Sequence, residues 1–183
     1  MMMNIFSIFS KKLFIFTTVL LLITNYGLSQ PNIPVPSRNI ILHAETKDFP
    51  KIALLDKNKN TEYFINFNNK ITVINFWATW CAPCKKEMPS LNKLVEIVGK
   101  NNIQVIGVNV EGVTYDKAKA FLDDLKVTNF DTFFDQDLQL VKQLSLRGVP
   151  TTLLINKEGK EFARVVGSIN FEDSKFIDWI KQF

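Results

Sequence analysis

Apolar and polar stretches alternate along most of the chain, and their pattern predicts strands and helices from about residue 49 onward. Residues 52–55 and 61–67 are rich in apolar side chains and flank the polar run 56–60, which is typical of a β-hairpin. Residues 71–77 (ITVINFW) are β-branched, aromatic and nearly all apolar. Such a run predicts a central strand that is buried on both faces.

A helical period begins after this strand. Residues 83–98 place apolar side chains three or four positions apart, and Gly99 follows as a candidate C-cap. Residues 103–108 predict a second buried strand. Thr114 is then a candidate N-cap for a helix that runs to about Leu125.

The last part of the chain predicts a closing set of shorter elements. They are a strand near residues 132–134, a helix over about 137–144, and a hairpin formed by 151–156 and 162–167. A final helix begins at about Glu172. Strands that alternate with helices and end in a hairpin and a helix predict an α/β fold around a mixed sheet.

The N-terminus has the pattern of an export segment. Lys11 and Lys12 precede the uncharged apolar run 13–23, and small residues follow up to Ser29. This pattern predicts a signal peptide over residues 1–29, cleaved after Ser29. An uncleaved membrane anchor is the alternative, although the run is shorter than the roughly 20 residues that a spanning helix needs.

The domain organisation follows from the segment behind this signal. Residues 31–37 are proline-rich and have no apolar period, so residues 30–48 are interpreted as a linker and residues 49–183 as the folded domain. Both interpretations of the N-terminus place that domain outside the cytoplasm, in the periplasm or another extracytoplasmic space. Thiols tend to be oxidised there.

Charge excludes one class of partner. The formal net charge is +4, and removing the two lysines of the export segment leaves +2, because residues 1–29 contain no acidic residue. No basic run or basic-aromatic stripe accompanies this small excess. The chain is therefore not expected to bind nucleic acid.

The only two cysteines, Cys81 and Cys84, lie in the segment 75–89 (NFWATWCAPCKKEMP). A zinc site needs four ligands, and the single histidine, His43, lies far upstream and is interpreted as a surface residue. Covalent haem needs a histidine directly after the second cysteine, where Lys85 stands. A structural disulfide across two intervening residues stabilises little. A redox pair is the remaining hypothesis.

The position of the pair predicts a division of roles. Cys81 lies just before a helix, whose N-terminal N–H groups and dipole favour a thiolate, so it is expected to be the exposed nucleophile. Cys84, one turn into the helix, is expected to be shielded and to resolve the mixed disulfide. Pro83 suits the first helical turn. Trp80 is expected to form part of the apolar rim where a partner chain docks.

At this point the chain resembles the thioredoxin superfamily, and specifically its exported TlpA/ResA-like branch. Residues 76–87 (FWATWCAPCKKE) form the longest match, and 147–151 (RGVPT) resembles the cis-proline loop of the family. The stretch around 115–125 and the strand after it are similar to the insertion of this branch. The resemblance covers about 49–183. It implies a thioredoxin fold, with a mixed central sheet flanked by helices, an N-terminal β-hairpin and this insertion.

The resemblance also implies roles for particular residues. Pro150, if cis, lies beside the cysteine pair and exposes the backbone of Val149 for pairing with a substrate strand. Glu87 matches an acidic residue of this branch that assists proton transfer at Cys84. The alternative for Glu87 is an ordinary solvated glutamate that pairs with a lysine. Asn75 stands where plain thioredoxins have a buried aspartate, so a buried-acid role at this position is excluded.

The function that the resemblance implies is that of an exported reductase of disulfides in specific client proteins. Members of this branch act in cytochrome c maturation or copper-site assembly and receive electrons from a membrane thiol carrier. No cofactor beyond the redox-active cysteine pair and no metal is expected, and a monomer is expected. The alternatives are a general disulfide oxidant of secreted proteins and a thioredoxin-like Cu(I) or scaffold module. Antioxidant peroxidase activity is not expected.

Overall fold

The computed structural model describes residues 34–51, 53–63, 67 and 69–183. The predicted signal peptide or anchor, residues 1–29, lies outside these ranges, as do residues 52 and 64–66 of the predicted first hairpin. Within the described ranges, none of the helices is long and apolar enough to span a bilayer.

One mixed sheet forms the centre of the fold. Its strands are β1 (Ile40–Asp48), β2 (Ala53–Leu55), β3 (Thr61–Tyr63), β4 (Ile71–Trp77), β5 (Ile103–Asn109), β6 (Asp131–Phe134), β7 (Thr151–Ile155) and β8 (Lys160–Val166). Their order across the sheet is β1-β8-β7-β4-β5-β6-β2-β3. The pairs β4–β5 and β5–β6 are parallel and the other neighbours are antiparallel, which confirms the predicted mixed sheet.

Four helices are present among the described residues. They are α1 (Ala82–Val98), α2 (Tyr115–Asp124), α3 (Gln139–Gln143) and α4 (Ser174–Ile180). The Thr114 side chain caps α2 by accepting a hydrogen bond from the N–H of Lys117, as its position predicted. The helix α3 is shorter than predicted because Asp135 accepts hydrogen bonds from the N–H groups of Leu140 and Val141, which fixes where the first turn begins.

The central strand β4 is buried along its whole length, as predicted. Side chains alternate between the two faces of a strand. Ile74 and Phe76 pack with Leu140 of α3 on one face, whereas Trp77 packs with residues of α1 and α2 in a separate cluster. Asn75 therefore shares the face of Trp77, and this places it against α1.

The predicted linker over residues 30–48 is wrong for its second half. Residues Ile40–Asp48 form β1, which pairs with β8, and the compact unit of the fold begins at Val35. The hydrophobic pattern of the sequence does not indicate this strand, because β1 lies at the edge of the sheet and most of its residues are exposed. His43 is also not a free surface residue: its side chain is 9% exposed and pairs with Glu161 of β8.

The β2–β3 hairpin and the predicted insertion are neighbours in the sheet. β2 and β3 form the predicted antiparallel hairpin, with Leu55 opposite Thr61. The predicted insertion consists of α2 and β6, and β6 extends the sheet beside β5. A pairing of Leu55 with Phe134 then joins the hairpin to the insertion.

Candidate active site

The helix α1 begins at the cysteine pair. Cys81 is its N-cap residue, and the Cys81 Sγ accepts a hydrogen bond from the backbone N–H of Cys84 at 3.2 Å. The two cysteines are joined in a disulfide. Pro83 lies in the first turn, where its missing N–H leaves no intrahelical bond unmade. The N–H groups of this turn and the helix dipole favour a thiolate at Cys81 when the disulfide is reduced.

Exposure differs between the residues at this helix start. Trp80 is 70% exposed, Cys81 is 3% exposed and Cys84 is fully buried. The prediction of an exposed Cys81 is wrong for the disulfide form, because Cys81 packs into an apolar cluster with Trp77 and Met88. Cys84 is nevertheless the more deeply buried of the two cysteines, as the sequence predicted.

The proline loop faces the same cluster. The Val149–Pro150 peptide bond is cis, and Val149 packs against the cluster that contains both cysteines. The Pro150 carbonyl accepts a hydrogen bond from the N–H of Gly167 at 3.0 Å. The backbone N–H and C=O of Val149 make no hydrogen bond to another described residue. They are therefore available for pairing with an incoming strand.

Glu87 is a buried residue of α1. It is 1% exposed, and its Oε1 accepts a hydrogen bond from the Asn75 Nδ2 at 2.8 Å. The same Nδ2 donates to the Thr152 Oγ1 at 2.9 Å. The alternative of a solvated glutamate paired with a lysine is therefore wrong. Glu87 lies three residues after Cys84, so the two side chains share one face of α1.

The environment of Glu87 raises its pKa. Burial disfavours the carboxylate and raises the pKa of Glu87 to about 7, although the hydrogen bond from Asn75 and the nearby donor groups of Ser168 and Ile169 favour the charged form. Of the two carboxyl oxygens, only Oε1 has a hydrogen-bond partner among the described residues, the Asn75 Nδ2, and Oε2 has none. A carboxyl with this pKa exchanges its proton near neutral pH.

Three residues around the Asn75–Glu87 pair were not predicted from the sequence. Thr152 lies opposite Asn75 in the register of β4 and β7, a position that a correct pairing of these strands would have indicated. Ser168 and Ile169 lie in the loop after β8, where no apolar period indicates which side chains turn inward.

The next question is whether side chains near the cysteine pair could bind a metal ion. The described part of the chain contains no group of three or more His, Cys, Asp or Glu side chains that is arranged to hold a metal ion. His43 lies on β1 and contacts Glu161 of β8 at 2.8 Å. Glu87, which shares a face of α1 with Cys84, and its partner Asn75 form a buried polar pair on this side of the sheet.

Together, the mixed sheet and the cysteine pair at the start of α1 beside a cis-proline loop define the class of thioredoxin-fold proteins. Residues 46–160, more than half of the chain, match the model of the AhpC/TSA family. The chain belongs to this family of the thioredoxin superfamily.

Curated relatives place the chain near ResA-type proteins. It is 32% identical to the thiol-disulfide oxidoreductase ResA of Bacillus subtilis (strain 168) over 160 residues, which cover 87% of each protein. It is also 32% identical over 126 residues to ResA of Geobacillus thermodenitrificans (strain NG80-2), covering 69% of this chain and 71% of the relative.

Solved structures confirm the fold. A protein of Chlorobium tepidum, assigned as thiol:disulfide interchange protein DsbE, aligns with a TM-score of 0.66 and 25% identity, over 76% of this chain and 96% of that one. A DsbF homologue from Corynebacterium diphtheriae aligns with a TM-score of 0.65 and 22% identity, over 82% and 96% of the two chains.

Proposed function

We propose that the protein is an exported thiol-disulfide oxidoreductase that reduces disulfides in specific client proteins through Cys81 and Cys84. The observation that carries this proposal is the Cys81–Cys84 disulfide at the N-terminus of α1, next to the cis-proline loop. The naming of its curated relatives as thiol-disulfide oxidoreductases supports the same reaction.

The first step is attack on the client. The reduced Cys81 thiolate, stabilised at the helix N-terminus, attacks one sulfur of a client disulfide. The client S–S bond breaks, a mixed disulfide forms between Cys81 and the client, and the second client sulfur leaves as a thiolate.

The second step releases the client. The Cys84 thiol passes its proton to the Glu87 carboxylate, and the resulting thiolate attacks the Cys81 sulfur. The mixed disulfide breaks, the Cys81–Cys84 disulfide forms, and the remaining client sulfur leaves reduced. Two electrons have moved to the client, and Glu87 then gives its proton to solvent. The pKa of Glu87, raised to about 7 by burial, suits a group that accepts and releases a proton in each cycle.

Client binding uses groups beside the sulfurs. The largely exposed Trp80 offers an apolar surface next to Cys81. The free backbone groups of Val149, held in place by the cis bond to Pro150, pair with an extended client segment.

The cellular setting completes the proposal. The export segment over residues 1–29 delivers the domain to an oxidising compartment, either free or anchored. A membrane thiol carrier returns electrons to the cysteine pair, because no soluble reductant maintains thiols there. The clients are proteins of cytochrome c maturation or copper-site assembly, and the protein acts as a monomer.

A substrate trap tests this function. In the full chain carrying Cys84→Ala, Cys81 cannot be resolved, so we expect a client to be captured in a mixed disulfide that reductant releases. The double variant Cys81→Ala/Cys84→Ala is the matched control and should capture nothing. If the trap yields no client and the unmodified protein does not reduce insulin, the proposed function is wrong.

A further inference from the structure

A short loop after β8, residues 167–171, is attached to the site at both of its ends. At one end, the N–H of Gly167 donates to the carbonyl of Pro150 at 3.0 Å. At the other end, the N–H of Phe171 donates to the Ser90 Oγ at 3.1 Å, and that hydroxyl donates to the Glu87 carbonyl at 2.7 Å. We call this segment the 167–171 loop.

The middle of the 167–171 loop faces the Glu87 carboxyl. The Ser168 hydroxyl and the Ile169 N–H both act on this carboxyl, and Glu87 itself is only 1% exposed. Ser168 itself is half-buried. The loop is therefore part of what keeps water away from Glu87.

A residue outside the central sheet holds the middle of this loop. The Asn39 Nδ2 donates to the Ser168 carbonyl at 3.1 Å, and the Asn39 carbonyl accepts from the N–H of Val166 at 2.9 Å. Gly167, at φ +84°, lies directly beneath the Asn39 side chain: a Cβ on this glycine would lie 3.6 Å from the Asn39 Nδ2. Asn39 is thus the contact between the N-terminal segment and the loop.

Space exists for the loop to move if this contact is lost. A cavity of about 350 Å³ lies beside the loop, and its walls include Arg38, Asn39, Ser168, Ile169 and Asn170. Ser168 and Ile169 line this cavity, so it offers space for Ser168 to shift when the hydrogen bond from Asn39 is removed. The hydrogen bond from Asn39 opposes this movement.

We propose that Asn39 is a positioning residue that holds the 167–171 loop closed over Glu87 and so keeps water from the carboxyl that exchanges a proton with Cys84. This inference rests on the proposed function for the role of Glu87. Asn39 touches neither sulfur and acts only through the loop.

The effect on Glu87 has a definite direction. Burial is the largest influence on its pKa and raises it, while the donors from the loop are weaker and oppose the rise. Opening the loop removes the burial and the loop donors together. Because burial is the larger influence, its loss decides the direction in which the pKa changes. The pKa of Glu87 should then fall from about 7 toward the ordinary value of 4.5.

The test uses the full chain with Asn39→Ala. The Glu87 carboxyl is followed by carbon-13 NMR in the disulfide form, where no thiol titrates, and its signal is assigned by its loss in Glu87→Gln. We expect the pKa of Glu87 to fall by roughly one unit or more. The matched control is Asn102→Ala, which removes a similar side-chain hydrogen bond, to the Val98 carbonyl, and should leave the pKa unchanged.

A kinetic measurement tests the consequence for the reaction. The reduced protein is mixed with dithionitrobenzoate, which releases one thiolate on attack by Cys81 and a second on attack by Cys84. In Asn39→Ala the pH midpoint of the second release should fall, and in Glu87→Gln the Asn39 substitution should have no further effect.

These measurements test the role of Asn39 and the role of Glu87 separately. An unchanged or raised pKa of Glu87 in folded Asn39→Ala overturns the role of Asn39. If Glu87→Gln alone leaves the second release unchanged at every pH, the proposed role of Glu87 is wrong, whatever Asn39 does to the pKa. Asn39→Ser, whose shorter side chain cannot reach the Ser168 carbonyl, carries the same prediction if the alanine variant does not fold.

Discussion

At the scale of single residues, Glu87 links the chemistry of the site to the stability of the fold. Its pKa is raised by burial to about 7 from an ordinary value of 4.5. The folded protein therefore binds a proton more tightly at this position than the unfolded chain does. The contribution of Glu87 to stability is favourable at low pH and becomes a penalty as pH rises from about 4.5 through about 7.

The substitution Glu87→Gln should remove this penalty. At about pH 8 we expect the disulfide form of the variant to be more stable than the unmodified protein by on the order of 3 kcal/mol, because the amide has the same shape and no charge. At about pH 4, below the ordinary pKa of 4.5, the difference should nearly vanish. Urea unfolding of both proteins at the two pH values measures this.

The matched control is Glu96→Gln on the same helix. Glu96 is exposed, and its partner Lys93 lowers its pKa by a hydrogen bond and by its charge. This substitution should not stabilise the fold at either pH. A pH-independent effect of Glu87→Gln would contradict the role assigned to burial.

The residues of the site differ in how far the sequence could predict them. Cys81 and Cys84 were predictable from spacing and from the absence of other ligands. Glu87 was indicated by the resemblance, but its burial was not, because a charged residue on a helix is usually solvated. The contact of Asn39 with Ser168 joins residues 129 positions apart and leaves no pattern in the sequence.

At the scale of elements, the edge strand β1 is held by a buried ionic cluster as well as by its backbone. The Glu161 carboxylate accepts hydrogen bonds from the Nε and a terminal nitrogen of Arg164, at 2.8 and 3.0 Å. The His43 Nε2 lies 2.8 Å from the same carboxylate. Burial raises the pKa of Glu161, but the hydrogen bonds from Arg164 and His43 outweigh it, so the pKa lies below its usual value.

Glu161→Gln should therefore act in the opposite direction to Glu87→Gln. At about pH 7 we expect a loss of about 3 kcal/mol, because the charge of Arg164 is left without its buried partner. The loss should shrink as pH falls through the lowered pKa of Glu161, where the carboxylate of the unmodified protein is itself protonated. Urea unfolding at several pH values measures this trend.

Glu158→Gln, three residues away in the exposed turn between β7 and β8, is the control for this prediction and should change stability little at any pH. A destabilisation of Glu161→Gln that grows toward low pH would show that the cluster does not stabilise the fold as a charged group.

The elements themselves were largely predictable where their pattern was regular. The strand β4 and the helix α1 have long apolar or periodic runs, and the structure confirms both. The strand β1 was missed because its residues are mostly exposed and its pairing with β8 is interrupted between Leu42 and Lys47. An irregular edge strand has no alternation that a sequence pattern could show.

At the scale of the whole molecule, the fold brings the residues of the reaction together at one helix start. The cysteine pair, the cis-proline loop and Glu87 all meet at the start of α1. The hairpin β2–β3 and the strand β6 extend one end of the sheet, while Ala118 and Leu122 of α2 pack in the same apolar cluster as Cys81 and Cys84. Fold and class follow from the sequence, whereas the direction of electron flow depends on the folded surroundings of the thiolate.

The redox potential of the Cys81–Cys84 pair tests the central claim most directly. The full chain is equilibrated in buffers of reduced and oxidised dithiothreitol or glutathione, and the fraction of reduced protein is measured by alkylation and mass spectrometry. A reductase of client disulfides should have a potential near that of thioredoxin, about −270 mV. A potential near about −120 mV, typical of a strong disulfide oxidant, would contradict the account.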